Sequence, residues 1–455
     1  MKINGKVVLL VILTIILAAL CILCVVWNGK EAAAPGNAAT GNTGTQTETA
    51  ESAEETQIDL SDPNGTEPAL FEETLADNTR TYYDINVPAF CDSDGDGTGD
   101  LAGVIQKLDY ILDLGFNGIA LSSVMDSSNQ LEVDSRYGTM YDLEDLVYEC
   151  GQRGIRVMVD FPLTGLDLLS VDVQLEVESV LDFWLGLGVN GFRLSQVNQL
   201  VADNEMANLD VLTWFNSYVK MCDPDACVVC AGEIPAEAFD TYYETGVDSL
   251  VNDSFAGSAG IITRAVSGEL TGAAYAEALA ACHLEDAVFF ANAETGRAAD
   301  WFTGENADTQ VKMAQAMSIL LAGDVFVGGG EEQGLPGAAA LWEIGSSDVC
   351  AFVKSAIALR RQYPEIALGT ATSPEGYSDD QISLVVRRYE DREIILIYNL
   401  SATTAQVSLE GLTAQDVPAG ELDTLGQLCA DGETVSRSGS ELTMPAWSIL
   451  VLGAA

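Results

Sequence analysis

An acidic, glycine-rich run near residue 95 contains the residue types and spacing that suit metal chemistry. Its candidate ligands are four carboxylates and one backbone carbonyl, those of Asp92, Asp94, Asp96, Thr98 and Asp100. Oxygen ligands spaced in this way can converge on one hard cation, and calcium prefers them. An EF-hand is the weaker interpretation, because its twelfth position would be Gly103, where a bidentate glutamate is required. The run therefore predicts a structural calcium site, and a solvated acidic turn is the alternative.

The cysteines and the single histidine give less indication of a metal or catalytic site. Among ten cysteines only Cys222, Cys227 and Cys230 cluster, without a second Cys-x-x-Cys pair or a nearby histidine, so zinc is not expected. Structural thiols are the prediction, and a disulfide from Cys222 to Cys227 or Cys230 is the alternative. The one histidine, His283, excludes a histidine-rich metal site and any mechanism that needs two imidazoles.

Charge limits the partners that this chain can bind. Its 455 residues have a net charge of −49, and residues 79–455 alone have 58 acidic and 17 basic side chains. Such a surface repels phosphate, so nucleic acid and anionic polymers are excluded as partners. Residues 28–78 are rich in Ala, Gly, Thr and Glu and have few large apolar side chains, which predicts a disordered acidic stalk.

A long apolar run precedes the stalk. Val7 to Trp27 is 21 residues long and Thr14 is its one clearly polar member, which at about 1.5 Å per residue spans a hydrocarbon core of roughly 30 Å. Lys2 and Lys6 place the short tail 1–6 in the cytoplasm and the remainder outside the cell. We expect a single-pass cell-membrane protein. A cleaved signal peptide is the alternative, although its apolar region is normally about 7–15 residues.

Hydrophobic periodicity predicts the folded part. Beyond residue 80, short apolar runs alternate with amphipathic helical stretches, and eight such runs indicate a (β/α)8 TIM barrel over residues 79–369. The predicted strands are Tyr82–Val87, Asn117–Leu121, Ile155–Phe161, Val189–Leu194, Cys227–Ala231, Ser249–Asn252, Val288–Ala291 and Val325–Gly328. Residues 370–455 favour a C-terminal antiparallel β-sandwich. Its predicted strands are Leu384–Arg388, Glu393–Tyr398, Gln406–Leu409 and Ser448–Leu452.

Several of these segments carry short motifs in a fixed order. The motifs are Asp92–Leu101, Tyr137–Thr139, Gly154–Asp160, Gly188–Leu194, Ala231–Glu233, Asn292–Arg297, Gly328–Glu332 and Ile357–Arg361. Together they resemble the α-amylase family, glycoside hydrolase family 13, in its oligo-1,6-glucosidase and neopullulanase branch. The resemblance covers most of residues 80–455 and implies a barrel followed by a sandwich.

The resemblance also implies the residues of a retaining α-glycosidase site. Glu233 matches the acid/base, Arg193 the arginine that orients the nucleophile, and Glu294 the strand-seven aspartate that stabilises the transition state. The nucleophile position is Ser195, whose hydroxyl has no charge and no neighbouring histidine to activate it. Sugar contacts are expected from Asn292, Arg297 and Trp301.

Further departures affect the cleft. The family's histidines around the reacting sugar correspond here to Gly165 and Ala293, so the ring loses hydrogen-bond donors. Only 28 residues separate Asp160 from Val189, too few for the domain that the family inserts there. An open, shallow site is therefore expected.

Three hypotheses remain open. The first is a membrane-anchored pseudoenzyme that binds α-glucan or a protein partner. The second is a residual α-glucosidase or α-amylase in which Glu233 is the acid and Glu294 activates water, with inversion if their carboxyls are about 6.5–9.5 Å apart. The third is a non-enzymatic subunit that escorts a membrane partner, because its single N-in span with a degenerate amylase ectodomain resembles the heavy subunits of heteromeric amino-acid transporters.

Overall fold

The computed structural model describes residues 80–454 except 123, 203, 293–294 and 338–346. The predicted cytoplasmic tail, the membrane span Val7–Trp27 and the stalk lie outside these residues, as does Glu294. Within the described segments, no helix is both long and apolar enough to cross a bilayer.

Eight parallel strands form a closed barrel in which each strand pairs with the next along the chain and the eighth pairs with the first. The strands are β1 (Thr81–Asn86), β2 (Gly118–Ser122), β3 (Arg156–Asp160), β4 (Gly191–Leu194), β5 (Cys227–Cys230), β6 (Ser249–Val251), β7 (Asp286–Phe289) and β8 (Asp324–Gly328). Their apolar residues fill the lumen and the layer under the helices. The barrel prediction is confirmed.

One predicted strand was misplaced. β7 begins at Asp286, two residues before the predicted Val288, and it ends at Phe289. An aspartate is an unusual start for a buried strand, but Asp286 accepts hydrogen bonds from Tyr243 Oη and Asn252 Nδ2, each at 2.8 Å. The apolar pattern alone pointed to the buried residues that follow the strand.

Helices surround the barrel. They are α1 (Leu101–Leu114), α2 (Met140–Gln152), α3 (Val171–Gly186), α4 (Glu205–Cys222), α5 (Phe239–Tyr243), α6 (Ile261–Val266), α7 (Gly272–Ala280), α8 (Ala298–Trp301), α9 (Ala307–Ile319), α10 (Asp348–Gln362) and α11 (Pro364–Leu368). In α1, Asp100 caps the first turn through Gly103 N at 2.6 Å, and Gly115 ends the helix in the left-handed conformation. Between β3 and β4 the structure has the single helix α3, as the short connection predicts.

The C-terminal part forms antiparallel sheets. Its strands are β9 (Thr370–Thr372), β10 (Ile382–Tyr389), β11 (Arg392–Asn399), β12 (Ala405–Ser408), β13 (Thr413–Ala414), β14 (Val417–Pro418), β15 (Asp423–Cys429), β16 (Ser436–Ser438), β17 (Glu441–Met444) and β18 (Ser448–Gly453). A five-stranded sheet has the order β15-β18-β11-β10-β9, and β12-β17-β16 form a second sheet. Ile395 and Leu450 of the first sheet share a core with Val407 and Leu442 of the second.

The other face of the five-stranded sheet packs against the barrel helices. Tyr398 of β11 meets Tyr275 of α7 edge-to-face at 5.6 Å between ring centres. Buried Arg360 of α10 donates hydrogen bonds to the carbonyls of Ile319, Leu321 and Gly323 at the end of α9. The C-terminal sheet is thus attached to α7, and α10 is attached to the turn that follows α9.

Candidate active site

Arg193 of β4 forms two short ion pairs at the carboxyl end of the barrel. Its Nε donates to Asp160 Oδ1 at 2.6 Å, and its Nη1 donates to Asp84 Oδ1 at 2.7 Å. The guanidinium carbon lies 5.4 Å from the ring centre of Phe289 and 5.6 Å from that of Phe326. Because the two aspartates belong to β3 and β1, Arg193 joins three strands.

The electrostatics of this ion triad, Asp84–Arg193–Asp160, follow from its burial. Burial raises the pKa of Asp84, against the lowering effect of the Arg193 charge. Burial opposes the charge on Arg193 as well, yet the two carboxylates raise its pKa above the ordinary value. Arg193 is therefore a permanent cation with two anionic partners.

The predicted nucleophile and acid/base positions lie on neighbouring loops. Ser195 directly follows β4 and Glu233 follows β5, and both side chains are exposed. The loops are joined by a hydrogen bond from Val197 N to the Ala231 carbonyl at 3.1 Å. Asn198 Nδ2 also donates to the Glu233 carbonyl at 3.2 Å, which fixes the backbone of Glu233 but leaves its carboxylate facing solvent.

A polar cleft of about 600 Å³ opens beside Glu233. Amide, carboxylate and ring side chains dominate its lining, which consists of Asn198, Gln199, Ala202, Asn204, Glu205, Asn208, Glu233, Pro235 and Tyr242. Gly232 makes room at its wall, since a Cβ there would lie 2.7 Å from Asn198 Oδ1. Donors and acceptors of this kind suit a neutral ligand with many hydroxyl groups.

The residues predicted to contact sugar lie in the loop after β7 and in the short helix α8. Asn292 and Thr295 form a closed turn through reciprocal backbone-to-side-chain hydrogen bonds of 2.9 and 2.8 Å. Arg297 is bound to the β8 loop, through the Gly329 carbonyl at 2.6 Å and the Gly337 carbonyl at 3.2 Å. Trp301 is half-buried and meets Phe290 edge-to-face at 5.3 Å, so part of its indole belongs to the core.

Sequence reasoning missed a buried glutamate next to Arg297. Glu331 accepts hydrogen bonds from Gln315 Nε2 at 2.7 Å and Ala298 N at 3.3 Å, and its Oε1 lies 3.5 Å from Arg297 Nη1. Burial raises its pKa to about 7, although Arg297 opposes this shift. Sequence reasoning likewise gave Asp84 and Asp160 no role. The sequence signal for Asp84 was an acidic side chain between apolar residues of β1.

The acidic loop brings part of its predicted ligand set together. One carboxylate oxygen from each of Asp92, Asp94 and Asp100 lies within 4.8 Å of the others, and Asp96 is not part of this group. Hydrogen bonds from Gly97 N and Gly95 N lower the pKa of Asp92, so it is ionised at neutral pH. A cleft of about 330 Å³ borders the loop, lined in part by Asp96 and Thr98.

His283 lies at the other end of the barrel, before the first residue of β7. Its Nε2 is 3.2 Å from Asp240 and its Nδ1 is 3.6 Å from Asp286. The eight cysteines of the described segments are free thiols, and Cys227 and Cys230 are buried in β5. Cys227 and Cys230 thus lie on the strand that pairs with β4, whereas His283 lies near the amino end of β7.

The barrel thus carries the ion triad around Arg193 near the carboxyl ends of its strands, and Glu233 follows β5, the strand next to β4. The family model "Alpha amylase, catalytic domain" matches residues 85–164. Among solved structures, Eubacterium rectale Amy13B superposes with a TM-score of 0.76 at 28% identity, covering 84% of this chain and 96% of that one. The alpha-amylase from H. orenii superposes at 0.70 and 21% identity, covering 83% of this chain and all of that one.

Curated relatives match over shorter stretches. Maltase A1 of Drosophila melanogaster is 40% identical over 89 residues, which are 18% of this chain and 15% of the maltase. Alpha-amylase 3 of Dictyoglomus thermophilum is 25% identical over 216 residues, 34% of this chain and 43% of that enzyme. The chain thus spans less than half of either relative. Its similarity is to the α-amylase family, glycoside hydrolase family 13, through residues 85–164 and through the fold of the barrel.

Proposed function

We propose that this chain is a membrane-anchored, extracytoplasmic protein of carbohydrate metabolism that binds α-glucan and has lost retaining glycoside cleavage. The observation that carries the proposal is the pair of loops after β4 and β5, where Glu233 faces a polar cleft and position 195 is serine. A retaining mechanism needs two carboxyl groups about 5–5.5 Å apart across the anomeric carbon. A serine hydroxyl has no charge with which to stabilise an oxocarbenium ion. Without a base to activate it, it is also too weak a nucleophile to form a covalent intermediate.

The lining of the cleft supports glucan as the ligand class. Amide and carboxylate groups, such as those of Gln199 and Glu233, form directional hydrogen bonds with sugar hydroxyls. The acidic surface disfavours phosphorylated or otherwise anionic sugars. Relatives named Alpha-amylase 3 and Maltase A1 agree with an α-linked glucose polymer or oligomer.

The test compares binding with cleavage in the full-length chain, purified in a mild detergent. Titration calorimetry with maltoheptaose measures binding, and release of reducing sugar or p-nitrophenol from an α-glucoside measures cleavage. We expect binding without cleavage, and binding several-fold weaker in Glu233→Gln. Glu237→Gln is the control, since it removes an equally exposed charge outside the cleft lining.

Cleavage by the unchanged chain that is lost in Glu233→Gln and kept in Glu237→Gln would refute the proposal. The product anomer, measured by NMR, would then test the second hypothesis, because Glu233 acting with Glu294 predicts inversion if their carboxyls are about 6.5–9.5 Å apart. Absence of maltoheptaose binding would refute the glucan part.

We also propose that the acidic loop binds calcium. The three converging carboxylates of Asp92, Asp94 and Asp100 form a hard oxygen donor set, and Asp96 and Thr98 line the same cleft. Bound calcium would stabilise the loop before α1. We expect calcium to raise the Tm relative to a chelator and Asp92→Asn to abolish this increase. Asp126→Asn is the control, because Asp126 caps a similar turn elsewhere through Ser128 and Asn129. A Tm that is indifferent to calcium would refute the site.

The proposed location rests on the apolar run Val7–Trp27 and the lysines before it. We expect the chain to remain in the membrane fraction after carbonate washing and its C-terminal part to be digested by protease added to intact cells. Release into the medium as a shortened chain would instead indicate a cleaved signal peptide.

A further inference from the structure

Arg193, the buried cation of the ion triad, has no carboxylate partner from its own strand. In the α-amylase family, which the motifs of this chain resemble, the arginine orients a carboxylate two residues further along strand four. Here that residue is Ser195. The side chain of Arg193 is 11% exposed and lies over two aromatic rings. A guanidinium removed from water in this way needs anions within hydrogen-bond distance.

Asp84 supplies one of these anions from β1, on a different strand. Its backbone carbonyl accepts a hydrogen bond from Gly329 N at 2.9 Å, which fixes the residue between β1 and the β8 loop. Its Oδ1 contacts Arg193 Nη1 at 2.7 Å while Asp160 occupies Nε. Two carboxylates thus already neutralise the guanidinium.

We propose that Asp84 is a compensating positioning residue, which supplies from β1 the negative charge that a carboxylate at position 195 would otherwise supply to Arg193. The inference rests on the proposed loss of the nucleophile at Ser195. Alternate strand residues start toward the same side, so a side chain at 195 leaves β4 on the side of Arg193. A carboxylate restored there would meet a guanidinium that already has two anionic partners.

A rescue experiment tests this assignment. Asp84→Asn removes one partner of a buried ion pair, and we expect the Tm of the full-length chain to fall by about 5 °C. Adding Ser195→Asp to Asp84→Asn returns a carboxylate to Arg193 and should recover at least half of that loss. Ser195→Asn in the same background is the matched control, because it has the same shape without the charge and should recover nothing.

The reverse combination is a second measurement. In the unchanged background Ser195→Asp should lower the Tm, because three carboxylates then compete for one guanidinium. Ser195→Asp would therefore have effects of opposite sign in the two backgrounds. If Asp84→Asn does not fold, the soluble yields of the two double variants give the same comparison.

Additive effects, or equal Tm values for the Ser195→Asp and Ser195→Asn double variants, would overturn the inference, because Asp84 would then brace the barrel independently of position 195. Cleavage assays on the same samples separate the two proposals. Hydrolysis by the unchanged chain refutes the proposed function, whereas failure of the rescue refutes the role of Asp84.

Discussion

The buried carboxyl of Glu331 should make the stability of the barrel depend on pH in an unusual direction. Its side chain is 3% exposed, and burial raises its pKa from an ordinary 4.5 to about 7. Moving a pKa by this amount corresponds to about 3 kcal/mol between the two protonation states. Because the folded state binds the proton more tightly, the contribution is fully present below pH 4.5 and is lost as the pH rises to about 7.

The assay is urea unfolding of the unchanged chain and of Glu331→Gln between pH 4.5 and 8. The amide removes the titration and keeps one acceptor for Gln315, so the stability difference between the two proteins should change by about 3 kcal/mol over this range. Glu305→Gln is the control, because Glu305 is an exposed glutamate. Curves that run parallel for Glu331→Gln and the unchanged chain would refute the reasoning.

Three further predictions concern packing and the cleft. Arg360→Met should cost about 3 kcal/mol in urea unfolding, because three carbonyls at the end of α9 lose a buried donor. Trp184→Phe should cost about 2–3 kcal/mol, since a fully buried indole and its 2.7 Å hydrogen bond to the Gln130 carbonyl are lost. Gly232→Ala should weaken maltoheptaose binding several-fold at unchanged Tm, because the added methyl displaces Asn198. Variants indistinguishable from the unchanged chain would contradict each of these.

The barrel strands could be predicted because apolar residues dominate them. β5 is buried at every residue, and a short apolar run of this kind is recognisable in the sequence. Prediction was less accurate where a strand begins with a polar residue or lies exposed at a sheet edge. β15 is a largely exposed edge strand from Asp423 to Cys429, and its alternation is too weak to separate it from a loop. β7 was shifted because Asp286 is buried with partners from other elements.

The site could be predicted only in part, for a similar reason. The ordered motifs indicated Arg193, Ser195 and Glu233, but the partner Asp84 lies 109 residues before Arg193 and reaches it across the barrel. A charge pair of this kind leaves no periodic signal in either strand. A helix turn and a strand separate Gln315 from Glu331 along the chain, so the sequence gives no signal of their contact either.

Buried polar contacts hold the barrel strands together, and the exposed residues at the strand ends take no part in them. Arg193 joins β4 to β3 and β1, Ser249 donates to Asp324 between β6 and β8 at 3.0 Å, and Tyr83 donates to Glu332 at 3.1 Å. Each contact offsets the desolvation cost of its own polar groups only when the strands are assembled, so its loss would destabilise the barrel. Ser195 and Glu233 are exposed and carry no such constraint. Substitutions at such exposed strand ends therefore leave the buried contacts intact, and the barrel superposes on Amy13B with a TM-score of 0.76.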